Sequence, residues 1–271
     1  MLKIDTEISV SIMSSEHRFR GEVDVEKLSE FFLELAHSDR LKALSLVETE
    51  RLKLTHISER LNLSMQETSR HLSRLRDAKL VRKDVDGFYG VTPLGRITLR
   101  LLPGYNFIIR NRDYFQDHEP ALLPPEFVER LGELEEYELG RGVMQVLHLA
   151  GVVMEEAEQY VWILTDEVMT ASIPMIRKGI ERGIGFRILL PEQLTLPSGF
   201  ELPEPAPTGR IEIRRLNEVK VCIVMNERLA GFCLPDAKGK IDFSAGFASR
   251  KPRFRKWCED LFLHYWEEAE I

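Results

Sequence analysis

The segment SMQETSRHLSRLRDAKL, residues 64–80, runs directly into VRKDVDGFYGV, residues 81–91. Ser64 and Glu67 form an S-x-x-E pair, in which the Ser oxygen accepts from the backbone of Glu67 while the Glu carboxylate reaches back to Ser64, so a helix is expected to open at Ser64. Met65, Thr68, Leu72 and Leu75 recur at helical spacing and make a packing face. Gln66, Ser69, Arg70, Ser73 and Arg74 fall on the opposite side, polar and available for contact. A polar, Arg-rich helix backed by a basic ribbon suits insertion into a DNA major groove.

Upstream, THISERL with Leu54, Ile57 and Leu61 reads as a shorter amphipathic helix, and only Asn62-Leu63 separates it from the next, the spacing of a helix-turn-helix. Downstream, Asp86-Gly87 is a strong turn dipeptide between Val81 and Val91, which predicts a hairpin wing. Thr92-Pro93 then supplies a cap and a proline for the first turn of a further helix. Residues 51–83 hold nine Lys or Arg against three acids, about +6, inside a chain whose net charge is −7. Local basic surface supplies phosphate affinity even in an acidic protein. The competing readings are charges that only solvate a helix and a winged helix used for protein contacts.

LNLSMQETSRHLSRLRDAKLVRKD resembles the recognition segment of ArsR-like and MarR-like winged-helix regulators, with L-x-L-S-x-x-x-x-S-R-H-L-x-x-L-x-x-A-x-L-V all present; the agreement extends from about Leu28 to Leu102. The resemblance implies that Gln66, Ser69, Arg70, Ser73 and Arg74 face bases or phosphates, and that Lys79, Arg82 and Lys83 reach the backbone or minor groove. It implies double-stranded DNA as partner and pairing as a homodimer. The Cys-x-Cys metal-sensing signature of many ArsR-like repressors is missing; the three cysteines, Cys222, Cys233 and Cys258, lie in the other half of the chain.

The opening 20 residues alternate weakly and suit an arm or a strand. Val25, Leu28, Phe32 and Leu35 form an apolar stripe on the first firm helix, and a second helix is expected from a cap at Ser38, with Leu41, Leu44 and Val47 inward. PLGRITLRLLPGYNFIIRNRDYFQDH predicts helical pieces interrupted at Pro103-Gly104. Its Leu99, Leu102, Phe107 and Ile108 suit either a seam between two copies or packing onto their own domain. Pro120, Pro124 and Pro125 mark a junction. The expected organisation is a winged helix-turn-helix domain over 1–102, a helical connector over 103–119, and an α/β domain over 120–271.

In the second half, an acidic helical stretch over 127–159 leads to the strand-like YVWILT. A helix bearing Met169, Ile173, Ile176 and Ile180 follows, stopped at Gly183, and then GFRILLP: a β-α-β unit with a parallel pair. After the Pro-rich PSGFELPEPAPTG come RIEIRRL, VKVCIVM and LAGFCLP as strands, and a closing helix with Phe254, Trp257, Leu261 and Tyr265 inward. The fold class is therefore α/β multidomain: an N-terminal α+β winged helix-turn-helix plus a C-terminal α/β domain with a mixed, partly parallel sheet.

DYFQDHEPALLPPEFVERLGEL, YVWILTDEV, GFRILLPEQ and KWCEDLFLHYWEEA resemble the C-terminal domain of archaeal winged-helix regulators named for methanogenesis control. That domain is related to phospholipase D-like modules and to the TrmB-like sensors of sugar-responsive regulators. The enzyme family carries H-x-K-x-x-x-x-D; aligned on Lys220, this chain has Glu218 for the His and Met225 for the Asp. Without the nucleophile, phosphodiester chemistry is not expected. Lys220, Asp166 and Arg187 are the candidate ligand-binding residues for a small-molecule effector.

Other catalytic patterns fail. Gly183-Ile184-Gly185 precedes a strand instead of opening a helix, and P-loop, G-x-S-x-G, C-x-x-C and H-E-x-x-H signatures are lacking. The acidic run Glu133 to Glu138 reads as a solvated helix face. No enzyme activity, cofactor or metal is expected. A 271-residue chain with 44% hydrophobic residues can bury two cores; the absence of a membrane-length apolar run and the unframed cysteines suggest a cytoplasmic protein. Two functions stand: a dimeric DNA-binding transcription regulator with a non-catalytic sensing or assembly domain, or a phospholipase D-like ligand-binding or enzymatic module whose winged helix contacts protein.

Overall fold

Helix α1 (Val25–Leu35) starts where the Asp24 carboxylate accepts from Lys27 N. In the computed structural model of the chain, the described residues are 23–194 and 211–270, so the opening arm and the Pro-rich 197–209 loop lie outside them. The chain divides after Leu99 into two compact units.

In the first unit, α2 (Ser38–Thr49) is capped by the His37 imidazole, which accepts from Asp39 N at 3.2 Å, so the cap is His37 and not Ser38. Strand β1 (Leu52–Lys53) leads into α3 (Leu54–Leu61), which ends on Asn62 in the left-handed region at φ 53°. Helix α4 (Met65–Asp77) follows, then β2 (Val81–Lys83) and β3 (Phe88–Val91), in a three-stranded antiparallel sheet of order β1-β3-β2. Ala43, Leu44, Ile57, Leu72, Leu75 and Leu80 are wholly inaccessible and form the core. The wing differs from the expected two-residue turn. Asp84 Oδ1 accepts from Asp86 N (3.0 Å) and Phe88 N (2.8 Å), and only Gly87 takes positive φ, so the loop spans Asp84–Gly87.

Helix α5 (Pro93–Arg110) opens at Thr92, whose Oγ1 accepts from Gly95 N at 3.0 Å. Gly95 has to be glycine, because a Cβ there would lie 2.3 Å from Leu80 O. Contrary to expectation the helix runs unbroken through Pro103. Proline loses one intrahelical bond, but this turn is braced from outside: the chain at Gly132 passes so close that an added Cβ would lie 3.0 Å from Gly104 N. Of the residues that suited either a seam or inward packing, Phe107 is buried in the second unit's core, as is Tyr114 from the expected connector, and Leu99 packs on the first unit's core. The α1 stripe is mostly open, with Val25, Leu28 and Phe32 exposed and only Leu35 buried.

The second unit adds short helices α6 (Tyr114–Asp117) and α7 (Pro125–Glu129), then β4 (Glu138–Arg141), α8 (Val143–Glu156), β5 (Tyr160–Leu164), α9 (Ile173–Glu181), β6 (Gly185–Pro191), β7 (Ile211–Leu216), β8 (Cys222–Asn226), β9 (Ala230–Cys233), β10 (Ala245–Ser249) and α10 (Pro252–Glu268). The seven strands run β4-β10-β9-β8-β5-β6-β7. β5-β6 and β6-β7 are parallel and the other pairs antiparallel, giving the expected mixed sheet. α10 covers one face through Phe254, Trp257 and Leu261, all wholly buried, while α8 and α9 cover the other through Val153 and Ile176. The stretch read as one acidic helix is α7, a 3-10 turn, β4 and α8. Within the acidic run Glu133 pairs with Arg130 and Glu136 with Lys251, and Glu136 and Glu138 stay exposed, so the run is solvated but lies on a 3-10 turn, a loop and the start of β4, not on a helix face.

Candidate nucleic-acid interface

The capping box forms: Ser64 Oγ accepts from Glu67 N (3.2 Å) and Ser64 N donates to Glu67 Oε2 (3.1 Å). The Ser64 bonds hold the Glu67 carboxyl below its ordinary range. Thr68, Leu72 and Leu75 are fully buried beneath α4. Met65, expected with them, is 45% exposed and touches the unit through Ser58 Oγ, 3.2 Å from its sulfur; the first turn sits beyond the rim of the core.

Gln66, Ser69 and Arg70 lie exposed on the opposite face, and Ser73 is half-buried, its Oγ accepting weakly from Arg76 (3.4 Å). Arg74 is not free: its guanidinium clasps Glu34 of α1 at 2.8 and 2.6 Å, which lowers the carboxyl pKa and raises that of the arginine. Lys79 stands exposed in the left-handed region at φ 60°, directly before the wing. Arg82 and Lys83 are exposed on β2, with Lys83 Nζ 5.4 Å from the Tyr89 ring. The fold adds Lys53, whose ammonium sits 5.0 Å from the Phe88 ring. A two-residue strand carries no periodic signal, and only its pairing with β3 places Lys53 at the wing. Arg51 pairs with Asp84, and Arg60 with Glu50. The helix face and the basic wing strand thus belong to one rigid, capped scaffold.

Residues 37–83 match the family model described as bacterial regulatory protein, arsR family. They form an ArsR-family helix-turn-helix domain. Among solved structures, the chain is similar to TrmBL2, an archaeal chromatin protein (17% identity over 90% of this chain and 100% of that one, TM-score 0.43). It is also similar to NolR from Sinorhizobium fredii (22%, 30% and 89%, 0.26) and to reduced HlyU from Vibrio cholerae N16961 (33%, 25% and 79%, 0.22). No curated protein sequence matches the chain significantly.

Within the ArsR-family domain, donor atoms of His37, Asp39 and His71 lie within 4.8 Å of one another, the one such group among the described residues. His37 Nδ1 is spent on capping α2. Burial, with the His37 and Arg40 charges, lowers the His71 pKa, and the same Arg40 charge opposes a cation. In the second unit the three candidate ligand residues point to different tasks. Arg187 lies between Trp162 and Trp266, 5.2 Å from each ring, on the α10 face. Lys220 pairs with Glu218 at 3.3 Å. Asp166 has a buried Oδ1 without a hydrogen bond, and burial, reinforced by Glu167, raises its pKa. Met225, at the position of the family's Asp, is buried in the core.

Proposed function

We propose that this chain is a DNA-binding transcription regulator in which α4 enters the major groove and the β2-β3 wing lies along the adjacent backbone. The observation that carries this is the exposed Gln66, Ser69 and Arg70 face on a capped helix whose other side is locked by Thr68, Leu72 and Leu75. Arg70 reads base edges and Lys79, Arg82, Lys83 and Lys53 neutralise phosphates, while Arg74 positions α4 through Glu34. Two copies pair through the exposed α5 stripe of Leu94, Ile97, Leu101 and Ile108. The second unit, which resembles methanogenesis-regulator-type domains, senses a small molecule or mediates assembly without catalysis. Its kinship with phospholipase D-like modules stops short of their chemistry, because neither a His nor an Asp stands in place and Lys220 pairs with Glu218.

The test is equilibrium binding of the protein to DNA from upstream of its own gene, at several salt concentrations. Arg70→Ala should cost about 1–3 kcal/mol and relax sequence preference. Lys83→Ala should weaken binding to all sequences alike and reduce the salt slope by about 1. Binding that ignores salt and both substitutions overturns the reading.

A further inference from the structure

The face of the second unit's sheet that lies under α8 and α9 contains a cavity of about 80 Å³. Small residues contribute to it: Gly231, Gly246 and Ala248 on the strands and Ala150 of α8 all line it. The space at Gly246 is set by its neighbours, since a Cβ there would lie 2.8 Å from Cys233 Sγ. By the same measure one water needs roughly 10–15 Å³, together with polar partners. Such partners are scarce. Among the described residues that line the cavity there is no Lys, Arg or His, and its polar side chains are already engaged. Thr165 Oγ1 donates to Glu167 O (3.0 Å), Ser172 Oγ donates to Met169 O (2.7 Å), and the Glu167 carboxylate pairs with Lys240 at 3.2 Å. The remaining side-chain heteroatoms are sulfurs: the thioethers of Met154 and Met169, and the thiols of Cys222 and Cys233, which stand directly opposite one another on β8 and β9. Soft, weakly hydrogen-bonding sulfur suits an apolar or aromatic guest.

We propose that this cavity is the ligand site of the second unit and takes a small, uncharged, apolar molecule about the size of one aromatic ring. An empty hollow forfeits dispersion contacts on every wall, and such a guest restores them. Anionic or polyhydroxylated ligands find no unspent partner there. The site lies on the α8–α9 face, whereas the Arg187 side chain occupies the α10 face, and none of Lys220, Asp166 and Arg187 lines it. Only its regulatory meaning rests on the proposed function; binding rests on the cavity.

Benzene is the probe, added to the full chain without DNA. Two signals are read: the thermal unfolding midpoint, and the rate at which methyl methanethiosulfonate labels each cysteine, followed by peptide mass spectrometry. At ten times its dissociation constant benzene should raise the midpoint by roughly 3 °C and slow labelling of Cys222 about tenfold. Cys258, buried in the core on the α10 side, is labelled only through global unfolding and so tracks the stabilisation that the midpoint reports. Ala150→Phe should fill the hollow and abolish both responses. If that variant does not fold, Cys222 protection in the unsubstituted chain still decides. The proposal is overturned if benzene gives neither response, if the responses survive in folded Ala150→Phe, or if inorganic phosphate or glucose stabilises the unit where benzene does not. Loss of DNA binding with intact benzene protection would count against the regulator reading alone.

Discussion

Arg74 and Arg70 are four residues apart on one helix, yet their surroundings differ, because Glu34, forty positions upstream, clasps only the former. Periodicity places both on the polar face but contains nothing about a partner that far away. The same holds for Asp242. Burial pushes its pKa up, but hydrogen bonds from Ser244 N and Oγ (2.7 Å each) and from His118 Nε2 (3.1 Å) outweigh it and hold the carboxyl below its ordinary range. A depressed folded pKa means that the stabilisation is complete above the unfolded value, near 3.9, and is lost as pH falls through the folded value. Asp242→Asn should therefore cost about 1–2 kcal/mol at pH 7. The gap between variant and parent melting curves should close below about pH 4; a gap independent of pH would refute the assignment.

At the scale of elements, α4, the wing and α10 were legible because each has a local cause: a capping box, a turn glycine, or apolar residues at helical spacing. Ser64→Ala should lower stability by about 1 kcal/mol and weaken DNA binding, with Ser64→Thr, which keeps the hydroxyl, restoring most of both. Calorimetry and DNA titration on the three proteins check this, and an unchanged Ser64→Ala protein would show that the cap does not set the helix start. β4 and β10 escaped notice. β10, AGFAS, has four small residues in five and little β propensity, and it is a strand because β9 and β4 hydrogen-bond to either side of it. Pro103 misled in the other direction, since external packing outweighs the local preference to break.

Across the whole molecule, burial redistributes the apolar residues of α5. Leu99 and Phe107 turn inward to separate cores, leaving Leu94, Ile97, Leu101 and Ile108 outside. Light scattering should find the chain at twice its 31.4 kDa mass, and Leu101→Glu should return it to a single copy with weakened operator binding. A wild-type monomer would exclude this seam. No helix of the described residues is long and apolar enough to cross a membrane. For the second unit, no turnover of bis(p-nitrophenyl) phosphate is expected; hydrolysis abolished by Lys220→Ala would reverse that view.

Amino-acid order alone determined the capped polar helix, its partner helix, the wing and the parallel β-α-β pair, because caps, turns and hydrophobic periods act within a few residues. Tertiary structure decided which arginine is spent, which α5 residues stay outside, and where the second unit is hollow. Those outcomes depend on side chains brought together from distant parts of the chain, and close packing, not local propensity, chooses among them.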